Sequence, residues 1–331
     1  MIAGMSVGLA LVLLLVLAAE FVNGWTDAPN AIATVVSTRV MSPRAAVLLA
    51  TTFNIVGALS GTAVAATIGK GIVAAEAINL PTVGAAMFSI IFWSTLAWYY
   101  GLPTSESHAL VSGLAGAALA VAGPEVLLWD GWRKVLIGLV FSTFLGFGGG
   151  WLIVTAIYWL FRWSSPGRVK SLFGKLQILS AAFMAFGHGS NDGQKFIGAF
   201  TLALVLGGAL PEFQVTWHVI LLCSVVMGIG TSVGGWRIIR TLGIRMVKLA
   251  PHQGFAAETG AASAIALASS MGIPLSTTHT ISTAIMGVGS ARRLRAVRWS
   301  VAHEVILAWV LTFPVCGTLS WLAATVVSQF V

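Results

Sequence analysis

Asn23-Gly-Trp-Thr-Asp-Ala-Pro-Asn30 is a polar cluster set inside apolar chain. Before it only Glu20 is charged, and after it Ala, Ile, Val, Thr and Ser run on to Arg39, the first basic residue. Asp27 is thereby placed as an intramembrane carboxylate, a costly position that argues for function. One helix over residues 1–38 would be about 57 Å long at 1.5 Å per residue, against a bilayer core of roughly 30 Å. The segment is therefore expected to be broken or tilted. Pro29 biases Ala28 away from helical dihedrals and suits the first turn of a new helix, with Thr26 or Asp27 as its cap. The cluster reads as a helix break, tolerated in a bilayer only where protein or a water-filled cavity surrounds it.

Composition supports a membrane setting for this stretch. Of 331 residues, 57% are hydrophobic and 8% charged, against about 25% charged in soluble domains. A formal charge of +8 could suggest nucleic acid, but the basic residues lie in short clusters between apolar runs and read as topology signals. Cys223 and Cys316 sit in separate apolar segments without ligand-like spacing and are expected to be buried thiols. The N-terminus lacks the basic region and cleavage site of a signal peptide, so it is read as the first membrane segment.

Apolar runs fall at about 1–38, 44–68, 82–122, 133–161, 175–207, 214–236, 254–289 and 298–329. Two are interrupted midway, by Gly101-Leu-Pro-Thr-Ser-Glu-Ser-His108 and Gly272-Ile-Pro-Leu-Ser-Thr-Thr-His279, which match at Gly, Pro, Ser and His 171 positions apart. The opening cluster has its own partner in His188-Gly-Ser-Asn-Asp-Gly-Gln-Lys195, which sets Asp192 opposite Asp27 at an offset of 165. Two halves follow, 1–165 and 166–331, forming one membrane transport domain.

Because cytoplasmic loops collect Lys and Arg, charge orients the halves. Arg39 and Arg44, the group from Arg162 to Lys175, the group from Arg237 to Lys248, and Arg292 to Arg298 hold most of the basic residues. Placing all four groups inside leaves the loops with Glu76, Glu125, Asp130 and Glu212 outside. The assignment closes only if both interrupted runs are re-entrant hairpins, the first entering from outside and the second from inside. The expected fold is an all-α polytopic bundle of two inverted-topology repeats, each with a re-entrant helical hairpin and a broken helix, with both termini external.

The hairpin tips indicate an oxyanion. Thr104, Ser105 and Ser107 in one and Ser276, Thr277 and Thr278 in the other follow a Pro as the returning arm begins. A helix N-terminus offers unpaired N–H donors and partial positive charge, and hydroxyls add donors. Half-helices beginning at Asp27 and Asn191 would join them, making an anion site. The plainer alternative is that these hydroxyls only cap their own arms, a reading weakened by the duplication. Anionic Asp27 and Asp192 require an accompanying cation. Their carboxylates, the oxygens of Asn23 and Asn30, and carbonyls freed by a helix break suit sodium, with Asp27, Asn30 and Asp192 as its ligands. Glu106 and Lys195 lie in the same elements and join the coupling set. Glu20, Glu258 and Glu304 could be interfacial or packed groups. His108, His188 and His279 have no metal-ligand spacing.

At these residues the chain resembles the PiT family of inorganic phosphate transporters, over most of its length. The family's duplicated Gly-Ala-Asn-Asp-Val-Ala-Asn-Ala is echoed at Gly24–Ala31 and Gly189–Phe196, and its Pro-x-Ser-x-x-His at Pro103–His108 and Pro274–His279. The resemblance implies a plasma-membrane permease, not an enzyme, that takes up phosphate with sodium or protons, often as a dimer and without a cofactor. Thr26 stands where the first motif has Asn, and Lys195 where the second has its last Asn. The Lys195 ammonium could occupy a second cation's position, pair with Asp192, or meet the anion; Glu106 could carry a proton. Rival readings are a sulfate permease of the same family, a channel, and a membrane phosphotransferase or hydrolase using Ser105 or Ser107 with His108.

Overall fold

The computed structural model describes residues 6–330, so positions 1–5 of the expected opening segment and the final residue lie outside it. The first half runs α1 (Val7–Ser37), α2 (Pro43–Ala58), α3 (Ala63–Gly71), α4 (Leu80–Tyr100), α5 (Glu106–Ala122) and α6 (Trp129–Leu160). The second runs α7 (Pro166–His188), a π-helical turn over Gly189–Gly193, α8 (Gln194–Leu206), α9 (Trp217–Val233) and α10 (Trp236–Arg240), which continues in a π turn to Met246. It ends with α11 (Pro251–Ser270), α12 (Thr277–Ser290) and α13 (Trp299–Val327). Among the described residues five helical spans are long and apolar enough to cross a membrane, or seven when each of two bent pairs is one span. The chain is all-helical and multi-pass.

The breaks do not fall at the polar clusters. Ser6 caps α1, which continues through Pro29 to Ser37, so neither Thr26 nor Asp27 begins a new helix. Pro29 removes one backbone donor, but the Trp25 carbonyl that it frees faces the bare backbone of Gly235. A Cβ there would lie 2.7 Å from that oxygen and from the Pro29 ring. Packing from 206 residues away thus accommodates the proline. In the second half the π turn passes Asn191 without ending the span, so no half-helix starts there either. The bends come one span later, 67° between α2 and α3 and 60° between α9 and α10, at Ser60-Gly61 and at Gly234-Gly235. Gly234 has φ +67°, a left-handed backbone that favours glycine.

Each short helix after a bend crosses to the other half. Gly198 of α8 lies against the Ala65 carbonyl of α3, and Gly243, following α10, against the Ala33 carbonyl of α1. The long crossings repeat this device. Gly24 faces the Met227 carbonyl and Gly230 that of Phe21, while Gly189 faces the Asn54 carbonyl and Gly57 that of Phe186. Small residues let backbones approach where lipid supplies no hydrophobic drive.

Two large apolar clusters form the core, each reaching one set of loops. One gathers Val40, Phe161, Leu249 and Val297 beside the basic loops. The other gathers Leu9, Val73, Ile78, Val126 and Phe213 beside the acidic ones. Both hairpins return to the end they left. Leu128 N donates to Ile72 O (3.1 Å) and Ala74 N to Val126 O (2.9 Å) at the base of α4–α5; Arg298 N donates to Met246 O (3.0 Å) at the base of α11–α12. At the tips Gly101 (φ +70°) and Gly272 (φ +64°) close α4 and α11. The two tips meet inside the bundle, with the His108 and His279 rings 4.6 Å apart. Cys223 and Cys316 are buried and free, as expected.

Candidate functional site

Lys195, on the first turn of α8, is wholly buried. Its ammonium pairs with the Asp192 carboxylate, bonds to Ser107 Oγ and donates to Leu275 O at 2.8 Å. Ammonium has three donors, and all three are used. Of the alternatives raised by the sequence, the arrangement seen is the pair with Asp192. Asp192 also receives Thr277 Oγ1 and has His188 Nε2 at 3.2 Å. Both hairpin tips therefore close on one carboxylate, because Ser107 belongs to the first tip and Thr277 to the second.

The first half supplies the matching group. Thr278 Oγ1 donates to Asp27 Oδ1 at 3.2 Å and accepts from Asn30 Nδ2 at 2.9 Å. Asn30 Oδ1 is buried with no partner, an uncompensated acceptor of the kind that a cation would satisfy. Ligand atoms of Asp27, His188 and Asp192 lie within 4.8 Å of one another. Two carboxylates and an imidazole nitrogen this close, with the Thr278 hydroxyl on Asp27, make a group that could hold a cation.

The remaining candidates divide. Ser105 and Ser276 cap their helices, accepting from His108 N at 3.3 Å and His279 N at 3.2 Å, so the capping alternative holds for these two. Thr104 is buried beside Ser105. Asn191 pins the second tip, donating to Ile273 O at 3.2 Å and accepting from Leu275 N at 3.1 Å; its polar atoms hold protein. Asn23 donates to Glu20 Oε2 at 3.0 Å, away from Asp27's partners. Glu106 accepts from Thr26 Oγ1 at 2.9 Å and keeps a buried oxygen unpartnered. Thr26 thus has a role where the motif's Asn is missing.

Two groups that the sequence named but left outside the site sit in buried networks. His188 lies one turn before Asp192 and has Nδ1 3.1 Å from Asn54 Oδ1, a spacing of four that marks one helix face. Glu258 is buried on α11 and accepts from Thr34, Ser180 and, at 3.1 Å, Gln177. Its partners come from α1 and α7, a convergence with no local signal. Glu304, by contrast, is half-exposed, 3.8 Å from Arg245.

Fold and site together define a multi-pass membrane protein whose titratable side chains meet inside the bilayer-spanning bundle, as in solute permeases. Residues 23–320 match the Phosphate transporter family, and the chain belongs to that family, one of transporters rather than enzymes. It is 44% identical over 303 residues to a probable low-affinity inorganic phosphate transporter of Rhizobium meliloti (strain 1021), covering 91% of each chain. To the protein of that description from Bacillus subtilis (strain 168) it is 38% identical over 317 residues, 95% of each. Among solved structures, one described as "The sodium-dependent phosphate transporter" superposes with a TM-score of 0.92 at 23% identity, over 98% of this chain and 100% of that one. This last likeness is one of fold.

Proposed function

We propose that the protein carries inorganic phosphate across the cell membrane by cation-coupled symport. It would alternate access around the interface of two inverted repeats, 1–165 and 166–331, with both chain ends external. The observation that carries this reading is the meeting of both duplicated motifs with both hairpin tips, where Asp27, His188 and Asp192 converge among Ser107, Thr277 and Thr278. The N-termini of α5 and α12 supply N–H donors for an oxyanion, with Thr104, Ser105 and Ser276 at those same ends. Relatives named as phosphate transporters support the substrate. The sodium dependence for which the structural neighbour is named and the oxygen-rich Asp27–Asn30 group favour sodium as co-substrate, while Glu106, with a free carboxylate oxygen, is the candidate for carrying a proton.

Phosphate is preferred to sulfate on proton counting. Near pH 7 phosphate still carries a proton to donate to a buried carboxylate; sulfate has none, and a buried acceptor left unpaired costs about 1–3 kcal/mol, roughly tenfold or more in affinity. A phosphotransferase is disfavoured because Ser105 Oγ accepts from the His108 main chain, and the His108 ring packs on Phe313 and His279. The test is labelled-phosphate counterflow in proteoliposomes, with sodium and pH gradients imposed separately. Counterflow against internal phosphate is expected, as is net uptake driven by a sodium or a pH gradient, with excess sulfate a poor competitor. Flux without counterflow would make the protein a channel, and equal competition by sulfate would remove the proton-reading role of the carboxylates.

A further inference from the structure

The two motif sites are built alike and filled differently. Asp27, Asn30 and Thr278 in one correspond to Asp192, Lys195 and Ser107 in the other, at the offsets that relate the two halves. In the second, carboxylate, hydroxyl and main-chain carbonyl oxygens converge on one point, and the Lys195 ammonium stands there. In the first, no Lys or Arg among the described residues pairs with Asp27, and the Asn30 amide oxygen is left buried without a partner. We propose that Lys195 is a tethered cation, occupying permanently the second of two duplicate cation sites, so that each transport cycle moves one fewer free cation than the twofold architecture would allow.

The inference rests on the cation-coupled reading above and adds a stoichiometry to it. An ammonium on a side chain cannot leave, so Asp192 stays compensated through the whole cycle and releases nothing to the cytoplasm. Asp27, lacking a tether, binds and releases the exchangeable ion. The second half then serves as a fixed counter-charge and the first as the coupling site.

Lys195→Asn removes the ammonium, leaves the point that it filled vacant and places an amide at the position equivalent to Asn30, opening the second site. Two measurements on purified protein read the result. Without phosphate, thermal unfolding followed against sodium concentration should show a sodium-dependent rise in melting temperature in Lys195→Asn beyond any in wild type. In proteoliposomes, the ratio of labelled sodium to labelled phosphate moved should increase by one. Lys195→Gln, closer in length to lysine, is the second variant. An active variant with an unchanged ratio and an unchanged sodium response overturns the proposal. Failure of both variants to fold in any cation would equally overturn it, because Lys195 would then be a structural pair only. Absence of phosphate uptake in wild type would instead sink the transport reading, leaving the sodium-dependent unfolding to judge the tether.

Discussion

Asp27 and Asp192 hold matching positions in the two halves, yet Asp→Asn substitutions there are not expected to behave alike. At Asp27 the protein partner is a neutral hydroxyl, Thr278, which an amide can also engage. Asp27→Asn should therefore keep its melting temperature and lose cation-coupled uptake; wild-type uptake by the folded variant would remove Asp27 from the mechanism. At Asp192 the partner is a buried ammonium. Removing one member of a buried ion pair costs about 3–5 kcal/mol, so Asp192→Asn should unfold at markedly lower temperature. The double change Asp192→Asn with Lys195→Asn should recover much of that loss. If the double variant is no more stable than Asp192→Asn alone, the pairing is not what stabilises this site. The identities of these residues were legible in sequence because each motif occurs twice. Their partners were not. Which face of a helix carries Glu258 inward and Glu304 outward depends on helix rotation, which a run of Ala, Leu and Val does not encode.

Helix crossings show the same division between local and distant information. Gly-x-Pro followed by hydroxyls foretells both hairpin tips, since glycine at positive φ, proline and a Ser cap act within a few residues. The Asn23–Asn30 cluster reads as a break but is none, because Pro29's accommodation comes from Gly235, far along the chain; Pro314 likewise lies inside the unbroken α13. Crossing glycines give a test at this scale. A Cβ on Gly57 or Gly189 would run into a main-chain carbonyl of a facing helix, which cannot rotate away as a side chain can. Gly57→Ala and Gly189→Ala should each destabilise by about 1–3 kcal/mol, the usual cost of overpacking. Gly148, in α6, has nothing within 4 Å of an added Cβ, and Gly148→Ala should be neutral or stabilising by up to about 1 kcal/mol from helix propensity. Thermal unfolding in one detergent compares the three; equal melting temperatures would mean that the close crossings do not limit packing.

At the scale of the molecule, the separation of basic and acidic loops into opposite ends depends on the hairpins failing to cross. Their returning arms are short: α5 has 17 residues and α12 has 14, about 26 and 21 Å at 1.5 Å per residue, below the roughly 30 Å of a bilayer core. Hydrogen bonds tie each arm's end to the loop that precedes its own hairpin, so each hairpin must leave by the face through which it came. The consequence is measurable with single cysteines, since native Cys223 and Cys316 are buried and should ignore a membrane-impermeant maleimide. Glu76 and Glu125 flank the first hairpin and are exposed; Lys248 and Arg293 flank the second and are exposed. Cysteine at Glu76 or Glu125 should label in intact cells, and at Lys248 or Arg293 only after permeabilisation, because the face rich in Lys and Arg stays inside. Reversal of all four would keep the hairpins and invert the protein in the membrane. Labelling of Glu76 and Glu125 from opposite sides would mean that α4–α5 crosses after all, and the two tips could then not approach the shared carboxylate from opposite faces.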